Sequence, residues 1–135
     1  MSKENAPTYI EAASVACVHN NQVLLIKRGL PPGEGLWAFP GGKVMPLESP
    51  EQAARRELLE ETTLYAQDLK SWTVSYPSPE DCDVQYRIHV FTCNLMVGRE
   101  EAASDAAELG WYSLEASMGL PLAPGMQQHL LNLFR

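Results

Sequence analysis

The chain is predicted to be an α/β protein in which a mixed β-sheet lies between helices. Three observations carry this expectation. Runs rich in β-branched and aromatic residues occupy the first and middle thirds, a strong helix start stands between them at Ser49-Pro50-Glu51-Gln52, and an apolar repeat at helical spacing closes the chain. The length of 135 residues suits one domain, spanning 1–135, and is too short for two of ordinary size.

Residues 10–28 read as two strands joined at Asn20-Asn21, residues that tolerate the left-handed backbone of a tight hairpin turn. Gly and Pro are too dense in 29–35 for helix or strand, so an exposed loop is expected there, bordering a ligand, followed by the short apolar run 36–39. After the break at Pro40-Gly41-Gly42, Ser49 is placed as an N-cap, Pro50 at the first helical position and Gln52 as the partner in a capping box, which predicts a helix over 50–61. Strands are expected at 70–76 and 84–97 with a loop at 77–83 between them. An acidic loop at 98–107, a short strand at 108–112 and a helix at 124–134 follow; the helix carries Met126, Leu130, Leu133 and Phe134 at its spacing.

Composition narrows the function. The chain is 45% hydrophobic and 20% charged, as globular proteins are. A net charge of -7 argues against a nucleic-acid polymer as partner, because tracking phosphates needs a basic surface; it leaves a nucleotide open, since bound divalent cations reverse the local sign. No apolar run reaches the roughly 20 residues of a membrane span, and the first residues lack a signal-peptide core, so no membrane partner and a cytoplasmic location are expected. Cys17, Cys82 and Cys93 show no metal-binding spacing and are expected to be reduced packing residues.

The helix carries Arg56-Glu57-Leu58-Leu59-Glu60-Glu61. Residues three and four apart share a helix face, so Glu57, Glu60 and Glu61 are expected to cluster, although like charges repel and the C-terminal end of the helix dipole is itself negative. The ordinary explanation of such a run is a solvated acidic face. Against it stand Glu48 ahead of the helix, Arg56 as a carboxylate partner, and Gly41-Gly42, whose backbone is open to a cation. Hard oxygen ligands of this kind suit Mg²⁺, or Mn²⁺ in its place.

Gly42, five residues, Glu48, seven residues, then Arg56-Glu57-Leu58-Leu59-Glu60-Glu61-Thr62-Thr63-Leu64 resembles the Nudix box, G-x5-E-x7-R-E-U-x-E-E-x-G-U, with U a bulky aliphatic residue. Every defined position matches except Thr63, where the family has the glycine that ends the helix in a left-handed conformation; Leu47 also stands where a glycine is common. The resemblance implies a Nudix-like α/β/α sandwich and a pyrophosphohydrolase. It implies metal ligation by Glu60, Glu61 and the Gly42 carbonyl, with Glu57 as a further ligand or the general base. Arg56 is then a structural partner of Glu48 or Glu57 rather than a catalyst.

Family members often add one acidic residue from a later loop. Glu108 is the first choice, with Glu100, Glu101 and Asp105 in competition. Arg28, Lys43 and Arg87 are candidates for phosphate contacts. Trp37, Phe39, Tyr76 and Tyr86 are candidates for stacking on a base or ribose, although aromatics on strands are more often core. The proline-rich loop before the box and Pro79 after it are similar to features of ADP-ribose-cleaving members, which places ADP-ribose or a related nucleoside-diphosphate sugar first. The alternatives are a nucleoside triphosphate pyrophosphohydrolase of the kind that removes oxidised nucleotides, and a non-catalytic nucleotide-binding module. A homodimer is compatible with the resemblance.

Overall fold

The structure, a computed structural model, describes residues 8–31, 33–77 and 84–135. Its strands are β1 (Thr8–His19), β2 (Gln22–Arg28), β3 (Trp37–Ala38), β4 (Gly41–Lys43), β5 (Tyr65–Ala66), β6 (Lys70–Ser75), β7 (Val84–Cys93), β8 (Met96–Val97) and β9 (Ala106–Tyr112). Its helices are α1 (Pro50–Thr62), α2 (Leu114–Ser117) and α3 (Met126–Leu133).

The sheet runs β3-β2-β1-β7-β6, with β4 paired to β1 and β9 paired to β2. It is mixed: β1 and β7 are parallel, and the other pairings are antiparallel. Alternation along the strands sends residues to two cores. Ala13, Val15, Cys17, Leu24, Phe91 and Cys93 pack under α1 with Ala53, Ala54 and Leu58, whereas Ala16, Val23, Leu25 and Val90 pack under α3 with Met126 and Leu130. Helices therefore cover both faces, and the expected α/β/α sandwich is the observed architecture.

Asn20 and Asn21 both take positive φ, 51° and 61°, as the hairpin requires. The two strands they join stay paired only over Val18–Val23 and His19–Gln22. Beyond that they part, and β4 fills the gap on the same edge of β1, opposite Ala12, Ala13 and Ser14. Sequence reading treats Pro40-Gly41-Gly42 as a break, but it leads directly into this short strand. Val15 N–H donates to Pro40 O and Val44 N–H to Glu11 O, both at 2.9 Å, which stitches the segment to the sheet. A side chain on Gly41 would run into the Ala13 carbonyl and Ser14, so the close approach requires glycine.

The run expected as one strand over 84–97 is divided into β7 and β8. Asp68 accepts from the backbone N–H groups of Asn94 and Leu95 at 2.9 Å, turning the chain there, and β8 then pairs with β5. The last helix begins at Met126 rather than Pro124, and α2, capped by the Ser113 hydroxyl, was not anticipated. Cys17 and Cys93 lie opposite each other across β1 and β7, buried and free; Cys82 and Pro79 fall outside the described residues. No helix among the described residues is long and apolar enough to cross a membrane.

Both places where a box glycine is replaced have positive φ: Thr63 at 62° and Leu47 at 68°. Leu47 occupies the third position of a turn closed by Glu48 N–H donating to Met45 O, and its side chain is wholly exposed. Holding an L-residue there costs roughly 1–2 kcal/mol, partly offset by its stiffer unfolded chain. Leu47→Gly is therefore expected to raise stability by about 0.5–1 kcal/mol, read as a Tm increase of a few degrees.

Candidate active site

α1 positions the site. Ser49 caps it, accepting from Gln52 N–H while the Gln52 side chain accepts from Ser49 N–H. Its buried stripe is Ala53, Ala54, Leu58, Glu61 and Thr62. At about 100° per residue, Glu57 and Glu61 lie some 40° apart and close to this stripe, whereas Glu60 is turned about 100° from Glu61. The three carboxylates thus divide into a buried Glu61, a partly buried Glu57 and an exposed Glu60.

Glu61 is 4% exposed, and its Oε1 accepts from Gly41 N–H at 2.8 Å. Burial pushes its carboxyl up to about 8, opposed by the Gly41 hydrogen bond, with the Glu57 charge adding to the rise. Glu57 lies one turn earlier, largely buried, and its carboxylate rests so closely on Gly42 that a Cβ there would overlap it. Burial raises its pKa as well, against the lowering effect of Arg56. Two desolvated carboxylates therefore meet at Gly41-Gly42 in surroundings that disfavour their negative charge.

Glu60 is held elsewhere. Arg56 Nη1 donates to Glu60 Oε1 at 2.8 Å, and the same guanidinium forks onto Glu48 through Nε at 2.8 Å and Nη2 at 2.9 Å. Nη2 also donates to Lys43 O at 3.0 Å, pinning β4 to the helix. This bidentate bond draws the Glu48 carboxyl down to about 2. The expected Arg56–Glu48 partnership is present; Arg56–Glu57 is a looser contact of 3.6 Å. Because a lysine cannot reproduce the fork, Arg56→Lys is expected to lower kcat/KM by on the order of 10- to 100-fold through misplaced carboxylates, measured by steady-state hydrolysis.

Glu108 does not join the pair. Leu109 and Trp111 of β9 pack in the α1 core, which turns Glu108 to the opposite face, where it pairs with Lys27 at 3.2 Å. Asp105 is the acidic residue whose charge falls on both Glu57 and Glu61. Glu100 accepts from the Trp111 indole instead, and Glu101 is exposed. Sequence could not rank these four, because their placement depends on backbone bonds between distant segments, such as Gly29 N–H donating to Asp105 O.

Of the phosphate candidates, Arg28 follows a register shift at the end of β2 and its charge acts on Glu61, while Lys43 is exposed directly beside Gly42. Arg87 is committed to Glu11, with Nη2–Oε2 at 2.6 Å, and lies over the Tyr9 ring. Phe39 and Trp37 are buried in the α3 core, Phe39 against His129. Tyr76 is exposed and stacks edge-on with Tyr9; Tyr86 is half-buried on β7.

Among the described residues no three acidic, His or Cys groups are already gathered as a metal cage. The pair still fits a hard divalent cation chemically, since a cation would relieve the desolvation of two carboxylates that the Arg56 and Arg28 charges offset only in part.

The family model for the NUDIX domain matches residues 8–133. A CTP pyrophosphohydrolase of Escherichia coli (strain K12) is 35% identical over 120 residues, covering 85% of this chain and 84% of its own length. An ADP-ribose pyrophosphatase of Methanocaldococcus jannaschii is 38% identical over 96 residues, covering 70% of this chain and 56% of its own length. The crystal structure of a MutT NUDIX hydrolase from Burkholderia pseudomallei superposes with a TM-score of 0.84 at 26% identity, over 92% of this chain and 97% of that one. The carboxylate helix seated on its Gly-Gly strand is thus the box of a known family, and this chain belongs to the Nudix pyrophosphohydrolases.

Proposed function

We propose that the protein is a divalent-metal-dependent nucleoside triphosphate pyrophosphohydrolase, converting its substrate to a nucleoside monophosphate and inorganic pyrophosphate. The observation that carries the reading is the Glu57–Glu61 pair, Glu61 buried and Glu57 partly so, against Gly41-Gly42. Glu57, Glu61 and the Gly42 backbone would hold the cation, with Glu60 and Asp105 at its margin. Mg²⁺ or Mn²⁺ supplies charge neutralisation at the phosphate oxygens. Glu57 is the candidate general base, since Glu61 already accepts from Gly41 N–H and Glu57 has its pKa raised by burial. Arg28, whose charge acts on Glu61, and Lys43, exposed beside Gly42, are the candidates for the remaining phosphate charge, and Arg56 keeps Glu48, Glu60 and the Lys43 backbone in register.

The triphosphate is preferred over ADP-ribose because the CTP-cleaving relative aligns over most of both chains, whereas this chain spans about half of the ADP-ribose-cleaving one. ADP-ribose is the second reading, favoured by the identity of that relative; the proline marker for it lies outside the described residues. The test is a panel of CTP, 8-oxo-dGTP and ADP-ribose with Mg²⁺. Pyrophosphate released from a triphosphate with the highest kcat/KM is expected. AMP and ribose 5-phosphate from ADP-ribose alone would overturn the substrate, and a nucleotide bound equally with and without Mg²⁺ but never cleaved would mean a binding module.

A further inference from the structure

The 98–105 segment connects β8 to β9 without secondary structure of its own, yet it is tied to the end of α1 at three points. Glu101 N–H donates to Thr62 O at 2.9 Å, Ala103 N–H donates to Glu61 O at 3.1 Å, and the Thr63 hydroxyl donates to Arg99 O. The first two use carbonyls that a helix end leaves without intrahelical partners, so any residue at 63 permits them. The third requires a hydroxyl at position 63. On its far side the segment is fastened to the end of β2, where Gly29 N–H donates to Asp105 O at 2.9 Å. Strung between these anchors, it holds the Asp105 backbone at the end of β2, from where the Asp105 charge acts on Glu57 and Glu61.

Thr63 is also the one defined box position at which this chain departs from the family, and it holds a positive φ of 62° that glycine would take without strain. A residue that strains the backbone while adding a tie found only in its side chain has a use for that tie. We propose that Thr63 is a positioning residue, whose hydroxyl, standing in place of the box glycine, latches the 98–105 segment to α1 and so fixes the approach of Asp105 to Glu57 and Glu61. The proposal rests on the reading of that pair as the cation site.

Four variants separate the parts. Thr63→Val keeps the β-branch and the strain but removes the donor, Thr63→Ser keeps the donor, Thr63→Gly removes donor and strain together, and Asp105→Asn removes the delivered charge. Two readouts need no turnover: hydrogen exchange of the Glu101 and Ala103 amides, and titration with Mn²⁺ alone. Thr63→Val and Thr63→Gly are expected to lose about 3- to 10-fold in protection of those amides and a similar factor in Mn²⁺ affinity, with Thr63→Ser close to the parent. Thr63→Gly should do so without loss of Tm, which distinguishes a latch from general destabilisation. Undiminished protection and affinity in Thr63→Val, with Asp105→Asn still weakening Mn²⁺ binding, would overturn the latch alone. Undiminished Mn²⁺ affinity in both Thr63→Val and Asp105→Asn, with Glu61→Gln still weakening Mn²⁺ binding, would overturn the proposal alone, and undiminished affinity in Glu61→Gln would overturn the site reading with it.

Discussion

Glu61→Gln is expected to reduce hydrolysis by about 10²- to 10⁴-fold while making the metal-free protein more stable at pH 8. The two effects have one cause. The folded Glu61 carboxyl keeps its proton up to about pH 8 because it is buried, whereas in the unfolded chain an ordinary Glu loses it near pH ~4.3. Between those values the folded state binds more protons than the unfolded state, so this group's contribution is fully present below about pH 4 and is lost as pH rises toward 8. The total loss is on the order of a few kcal/mol. Glutamine retains the shape and can accept from Gly41 N–H but cannot ionise. Thermal melts from pH 5 to 8 in the presence of a chelator should show the parent losing Tm and the variant nearly level. A parent whose Tm does not fall over that range would contradict a carboxyl whose pKa burial holds well above the ordinary value.

Gly42→Ala is expected to remove at least about 10²-fold of the activity with a stability change below about 1 kcal/mol, whereas Gly41→Ala is expected to destabilise by about 2 kcal/mol or more. The difference lies in what each new methyl group meets. At Gly42 it overlaps the Glu57 carboxylate, the far end of a side chain that can swing aside, which spares the fold but displaces a reacting group. At Gly41 it meets the Ala13 carbonyl and the Ser14 backbone, which are fixed in the β1–β4 pairing. Denaturant melts and steady-state rates on the two variants check the split. Equal stability losses in both would contradict it.

Much of the fold could be read locally, because its signals are local. Ser49, Pro50 and Gln52 announce α1 within four residues, Asn20-Asn21 announce the hairpin turn, and helical spacing announces α3. What escaped depends on partners far along the chain. The break after β7 is made by Asp68 capturing two N–H groups, and β4 forms only because β1 and β2 diverge and leave an edge to fill. The site shows the same division. That Glu57, Glu60 and Glu61 belong together follows from helix periodicity and the box, but which of them is turned inward depends on which side of α1 meets the sheet. That Glu108 stands apart depends on the face to which β9 turns Leu109 and Trp111. Arg56 was legible as a partner of Glu48, while its hold on Glu60 and the Lys43 carbonyl was not.

The central claim is that Glu57 and Glu61 form a cation site whose burial keeps Glu61 protonated until metal arrives. Calorimetric titration of the metal-free protein with Mn²⁺ at pH 7, repeated in buffers of different ionisation enthalpy, measures it directly by counting the protons released. With a Glu61 carboxyl near 8, binding should expel about one proton in the parent protein and close to none from that position in Glu61→Gln. Tight Mn²⁺ binding with no proton release, or equal release from parent and variant, would contradict the account.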